Sequence, residues 1–327
     1  MKYNLIFLLF FIYPLVSAPA DSLVTLCFTG DVTFANHFEN YVKNRFDYPF
    51  KNFDVLHNAD LAVVNLENPL TRRDCPREKT FVFKARPEYV RVLQNGGVDI
   101  VNLANNHIYD YGAQGLFDTI EFLDEAQIAH MGAGKDLAAA RKPVIRTVKN
   151  IKIAFLAYYG LRPHSGCHPA TNDSAGTALR FLPYIRRDIR KIRDSVDYVI
   201  VTFHWGIEKE HYPQDDQIYF AHKTIDYGAD AVIGHHPHVL QGVESYKGKI
   251  IAYSLGNFIF GGNSRSYETS AVLKLILSQS SSATIMAEII PVEIKFWQPH
   301  LAKGKHATQI LDDLREYSAK FQRSIFK

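Results

Sequence analysis

From residue 23 onward the chain breaks into short, continuous apolar runs, and five of these end abruptly in carboxylate, amide or imidazole side chains. The runs are Leu23–Phe28, Leu61–Leu66, Ile100–Leu103, Ile151–Ala157, Tyr198–Phe203, Ala231–Ile233, Ile250–Leu255, Ala271–Leu277 and Ile285–Phe296. Unbroken apolar runs of this length suit strands buried on both faces. Several intervening segments have helical spacing instead. Pro87 to Gln94 opens on a proline suited to a first turn and stops at Asn95-Gly96-Gly97. Gly115 to Ala126 aligns Leu116, Ile120 and Leu123; Pro183 to Asp194 aligns Ile185, Ile189 and Ile192 opposite a basic face; Gln217 to Tyr227 closes at Gly228. Strands alternating with helices predict a layered α/β core. The runs from Ile250 to Phe296 have little helix between them and predict antiparallel hairpins.

The polar residues that follow the strands carry the chemistry. The first run leads into Thr29-Gly30-Asp31, and the second contains Asn65 and ends at Glu67-Asn68-Pro69. The third ends at Asn105-Asn106-His107, with Asp110 three residues on. Two later runs end at His204-Trp205-Gly206 and at Gly234-His235-His236-Pro237-His238. Ligands of open α/β sheets bind beyond the carboxyl ends of the strands, so these groups are expected to converge. Taken singly, Asp31 reads equally well as a turn residue and Asn105-Asn106-His107 as an Asx turn, while a lone His204 reads first as a core histidine with its ring hydrogen-bonded. His236 and His238, two apart at a strand end, project to one side, as a metal pair would. Oxygen and nitrogen donors together suit Mn, Fe or Zn rather than Ca or Mg, and no cysteine lies in these motifs to make a thiolate site.

Composition bounds the rest. The 327 residues are 47% apolar, enough to bury a large core, and a net charge of +3 is far from the dense basic stripe of a nucleic-acid binder. Lys2, the apolar run Leu5–Val16 and Ala18-Pro19-Ala20 have the layout of a secretory leader. The expectation is an exported chain, periplasmic or extracellular, either cleaved or held at the membrane by the leader. Residues 1–20 are read as signal, 21–295 as the catalytic-type domain and 296–327 as a helical tail. Of three cysteines, Cys27 reads as a buried small hydrophobe, while Cys75 and Cys167 are candidates for one bridge in an oxidising compartment.

Gly30-Asp31, Asn65-Leu66-Glu67-Asn68-Pro69, Asn105-Asn106-His107, His204-Trp205-Gly206, the run Gly234 to Gln241 and Ser254-Leu255-Gly256-Asn257-Phe258 together resemble the ordered motifs of the CapA capsule-synthesis family. The resemblance runs from about residue 23 to 262. It implies a calcineurin-like metallophosphoesterase fold, a four-layer αββα sandwich around a two-metal centre. By the same resemblance Asp31 and His238 would hold one metal, Glu67 would bridge, and Asn106, His204 and His236 would hold the second. His107 would be the proton donor, with Asn65, Asn105, Asp110 and His235 orienting the ligands. One departure stands out: the superfamily has a histidine two residues after its first aspartate, and here that residue is Thr33. The first metal then lacks a ligand, His37 is a distant substitute, and occupancy could fall from two metals to one.

The implied function is hydrolysis of a phosphoester or related bond outside the cytoplasm, in production, export or processing of poly-γ-glutamate or another capsular polymer. Partners would be an anionic polymer or phosphorylated substrate and a capsule-synthesis complex at the membrane, with no nucleic acid. Arg72, Arg73, Lys84 and Arg86, with Arg77 and Lys79, form a basic region near Glu67 suited to an acidic substrate. The alternative is a non-catalytic envelope subunit that binds an anionic polymer and uses its metals structurally.

Overall fold

The structure is a computed structural model and describes residues 23–160, 168–260, 269–279 and 285–321. The leader and Cys167 lie outside the described residues. The first half of the chain contributes strands β1 (Leu23–Val32), β2 (Leu61–Leu66), β3 (Ile100–Asn102), β4 (Ala129–Met131), β5 (Ala133–Gly134), β6 (Val144–Val148) and β7 (Ile151–Tyr159). The second contributes β8 (Gly176–Thr177), β9 (Tyr198–His204), β10 (Ala231–His235), β11 (Val243–Tyr246), β12 (Lys249–Ala252), β13 (Asn257–Ile259), β14 (Thr269–Ser278), β15 (Ile285–Lys295) and β16 (Gln298–Leu301). The helices are α1 (Phe38–Val42), α2 (Val90–Asn95), α3 (Gly112–Glu125), α4 (Leu137–Ala140), α5 (Leu182–Ile192), α6 (Asp215–Asp226) and α7 (Gly304–Ser318).

Among the described residues the strands form two main sheets. One runs β16-β15-β14-β1-β2-β3-β4 with β13 also beside β1, the other β11-β12-β10-β9-β7-β6. Alternate side chains explain the layering. Phe28, Val63 and Ile100 from the first sheet meet Phe155, Ile200 and Ile233 from the second in one buried core. The neighbouring residues Cys27, Ala62, Val64 and Val101 turn the other way and pack under α2 and α3 with Val92, Leu93, Leu116 and Leu123. Val199, Val201 and Val232 of the second sheet pack under Ile185 and Ile189 of α5 and Ala221 and Ile225 of α6. Helix, sheet, sheet, helix is the expected αββα sandwich. A strand such as β9 is buried at every residue because both of its faces are covered.

The terminal helix is docked rather than peripheral: Ile310 and Leu314 of α7 enter the core between the sheets. The run Ile250–Leu255 is not one strand, because the chain leaves the second sheet after Ala252 and joins the first as β13, parallel to β1. The expected hairpins exist as β11–β12 and β14–β15–β16, but β12 and β13 themselves also pair in parallel with β10 and β1.

Parallel pairing matters most for function, since it lines up the strand ends. In the first sheet Asp31 is opposite Asn65 and Asn65 opposite Asn102. In the second, Tyr159 is opposite His204 and His204 opposite His235. Two rows of polar side chains thus face each other at one end of the sandwich.

Candidate metal centre

The rows meet directly: Asn65 Nδ2 donates to Asp31 Oδ1 at 2.8 Å and lies 3.3 Å from His204 Nδ1 in the other sheet. Asn102, which the sequence did not single out, donates to Asn65 Oδ1 at 3.0 Å and fixes that amide. Asp31 is fully buried. Its Oδ2 accepts from the His236 backbone N–H at 3.1 Å and lies 3.2 Å from His238 Nδ1. Burial pushes its carboxyl up, but the His238 hydrogen bond and charge, with the other imidazoles, outweigh that and hold it at about 2.

Glu67 stands at the end of β2, its backbone N–H bonded to Val32 O at 2.7 Å. Its carboxylate is fully buried, and neither oxygen accepts a hydrogen bond among the described residues. Burial drives its pKa well above the ordinary value, against the pull of His238 and with a further push from Asp31. A buried carboxylate left without donors is costly in a finished fold and points to a cation as its missing partner.

The donor atoms are grouped accordingly. Asp31, Glu67 and His238 form one triad and Glu67, His204 and His236 another, the ligand atoms of each within 4.8 Å of one another. Around His204 Nε2 the crowding is acute: Asn106 Oδ1 lies at 2.9 Å, His236 Nδ1 at 3.1 Å and Glu67 Oε1 at 3.3 Å. One N–H cannot serve three such neighbours, whereas a cation among them can. Burial also drives His204 well below the usual histidine range, keeping it neutral with a lone pair to donate. The donor set therefore fits divalent metal, and Asp31, Glu67, Asn106, His204, His236 and His238 are all brought together.

The remaining candidates surround this cluster. Asn105 donates to Leu66 O at 2.8 Å and accepts from His107 and Ile108 N–H at 3.1 and 2.9 Å, which shapes the loop after β3. His107 Nδ1 lies 2.6 Å from Asp110 Oδ2, and its ring stacks on Phe83 at a centroid distance of 3.9 Å. Burial lowers the His107 pKa, although Asp110 pulls it back up. His235 turns away from the triads and reaches Thr29 O at 3.1 Å, tying β10 to β1. Asn257 Oδ1, in the Ser254–Phe258 motif, lies 2.9 Å from His238 Nδ1 and orients that ring.

In the basic region, Arg72 pairs with Glu88, Arg73 with Asp118, Lys84 with Asp74 and Arg86 with Glu39. Their charge is largely offset where they stand. The Lys79 ammonium reaches the cluster, donating to Asp110 Oδ1 at 2.8 Å and to Asn106 O at 2.7 Å. Thr33 cannot substitute for a histidine, since its hydroxyl donates to Asn68 Oδ1 at 3.1 Å. His37 is exposed at the start of α1, its ring beside Asn40, and belongs to none of the donor groups.

An αββα sandwich whose facing strand ends gather carboxylates, an amide and imidazoles defines a protein built around a candidate divalent-metal centre. The profile of the bacterial capsule synthesis protein PGA_cap family matches residues 25–262, and the chain belongs to that family. It is 32% identical over 305 residues to the capsule biosynthesis protein CapA of Bacillus anthracis, covering 90% of this chain and 72% of that one. It is 31% identical over 287 residues to the PGA biosynthesis protein CapA of Bacillus subtilis strain 168, covering 86% of this chain and 74% of that one. Among solved structures, a hypothetical protein from Thermus thermophilus aligns with a TM-score of 0.47 at 17% identity, over 83% of this chain and 100% of that one.

Proposed function

We propose that the protein is an exported, metal-dependent hydrolase that acts on a phosphoester or related bond during synthesis, export or processing of a poly-γ-glutamate-type capsular polymer. The observation that carries the reading is that Glu67 belongs to both donor triads, the arrangement a pair of neighbouring cations needs. The capsule context rests on kinship with the two CapA proteins, and a capsule-synthesis complex at the membrane is the setting it favours. Mn, Fe or Zn would be held by Asp31, Glu67 and His238 on one side and Glu67, Asn106, His204 and His236 on the other. Bound metal would supply Lewis-acid polarisation and a nucleophile at neutral pH. The chain itself positions the proton donor: Asp110 fixes His107 through Nδ1, which leaves Nε2 to protonate a leaving group.

Elemental analysis of the full chain, after reconstitution with Mn, Fe or Zn, tests this, with hydrolysis of bis(p-nitrophenyl) phosphate as the activity probe. Metal retained by the wild type, lost from a His236→Ala, His238→Ala double variant, and accompanied by turnover is the expected result. No metal under any reconstitution would overturn the proposal. Export is checked by fractionating cells that express the full chain.

A second reading, a polymer-binding subunit without catalysis, is favoured by a separate cleft of about 440 Å³ lined by Arg141, Lys142, Arg187 and Lys191. Asp188 neutralises Arg141 through two hydrogen bonds, so the other three give the cleft its net positive charge. Under this reading His107→Ala leaves polymer output intact, and reversing charge at Lys142, Arg187 and Lys191 abolishes it.

A further inference from the structure

The missing first-site ligand draws attention to the loop after β9. We propose that Glu208 is a further metal ligand, closing the centre from its solvent side. The inference rests on the metal reading above. Glu208 shares a donor group with His236 and His238, their ligand atoms within 4.8 Å of one another, and so stands beside one histidine of each triad. Glu67 reaches the imidazoles from full burial, whereas Glu208 is exposed. Among the described residues the Glu208 carboxylate makes no hydrogen bond and no ion pair. A carboxylate set beside two imidazoles is placed to close with them on a common ion, each donor then about 2.0–2.2 Å from it.

The backbone holds Glu208 in place although its side chain is exposed. Gly206 turns the chain at φ +86°, a conformation that favours glycine, and a Cβ there would press on the Gln217 amide at 2.8 Å. Immediately beyond Glu208, Lys209 N–H donates to Pro237 O at 2.8 Å, between the two histidines. Gln241 Nε2 then donates to Glu210 O at 2.7 Å, and His211 Nδ1 lies 3.1 Å from Leu240 O. The loop carrying Glu208 is therefore stapled at successive points to the loop carrying His236 and His238.

The test is a titration of the metal-free full chain with Co²⁺, followed by visible absorption and by competition with a chelating dye. Wild type, Glu208→Gln and, as a charge control two residues on, Glu210→Gln are compared. The expected result is that Glu208→Gln weakens one Co²⁺ equivalent at least about tenfold and changes its absorption band, with circular dichroism unchanged. Glu210→Gln should match wild type. If wild type takes one equivalent only, its weakening by Glu208→Gln still supports the ligand role. Unchanged affinity and spectrum in Glu208→Gln, or equal weakening in Glu210→Gln, overturns it while leaving the metal centre standing. No Co²⁺ bound by wild type overturns the metal centre itself, and this inference with it.

Discussion

The Asp110 carboxylate lies 2.6 Å from His107 Nδ1 and takes the Lys79 ammonium on its other oxygen at 2.8 Å. The imidazole is thereby fixed in tautomer and direction by a carboxylate that is itself held. Phe83 completes the clamp, stacking on the ring and donating its backbone N–H to Asp110 Oδ2 at 2.8 Å.

Proton transfer by a positioned side chain contributes about 10²–10⁴-fold to turnover. His107→Ala is therefore expected to cut kcat on bis(p-nitrophenyl) phosphate by about that factor while metal content stays at the wild-type level. Asp110→Asn should cost less, about tenfold or more, because the ring remains but loses its anchor. Loss of metal from His107→Ala would show that the ring is a ligand instead.

Glu67 sets function against stability. In metal-free protein its buried carboxyl has no hydrogen-bond donor, and its folded pKa stands well above the ordinary 4.5. A raised carboxyl pKa means the unfolded chain loses its proton first, so metal-free stability falls as pH rises past about 4.5. Glu67→Gln should remove this loss and melt higher than metal-free wild type at pH 8. The same variant should forfeit the gain from metal, which for wild type is about 2.7 kcal/mol at a hundredfold excess over Kd. Thermal melts with and without Mn²⁺ decide both points.

Much of the scaffold was legible because β2, β9 and β10 are buried at every residue and so read as unbroken apolar runs. β6 lacks that signature: it is an edge strand whose residues alternate between half-buried and exposed, with Arg146 and Thr147 interrupting the pattern. The crossing from Ala252 to Asn257 was equally hidden, since Tyr253 and Leu255 are as buried as the strands on either side. The site divides the same way. Histidines and acids after strands announce themselves, whereas Glu208 looks like an ordinary surface charge until the fold brings it beside His238, and Lys79, legible only as one of a basic group, ends on Asp110. The pairing within the basic region was not legible either, because Arg73 meets its partner Asp118 across a separation of 45 residues.

Two glycines test how tightly the strand ends are held. A Cβ on Gly234 would lie 2.0 Å from Tyr253 O and 2.4 Å from Trp205 Nε1, so β10 must move to admit it. His235 and His236 follow at once, and Gly234→Ala is expected to cost about 1–3 kcal/mol and to lose metal. Gly248, in the turn between β11 and β12, has nothing within 4 Å of its Cβ position but adopts φ +77°. Gly248→Ala should cost about 1 kcal/mol and keep its metal. Equal metal loss in both variants would contradict a specific close approach at Gly234.

Asp60 clamps the two sheets at the end away from the metal centre. Its Oδ2 accepts from Thr25 N–H at 2.8 Å and from the Thr25 hydroxyl at 3.0 Å, and it receives Lys149, in the turn between β6 and β7, at 3.0 Å. Burial pushes the Asp60 carboxyl up, but these hydrogen bonds and the lysine charge outweigh it and leave its pKa below the ordinary 3.8. A depressed folded pKa gives stability that is complete above the unfolded value and disappears as pH falls through the folded one. Asp60→Asn should therefore melt below wild type at pH 7, by an amount equivalent to about 1–2 kcal/mol since the hydrogen bonds are charge-assisted. The gap should hold down to about pH 5 and close progressively below 3.8. Urea melts at a series of pH values measure it, and a gap that widens on acidification would show that Asp60 is not acting as the ionised clamp.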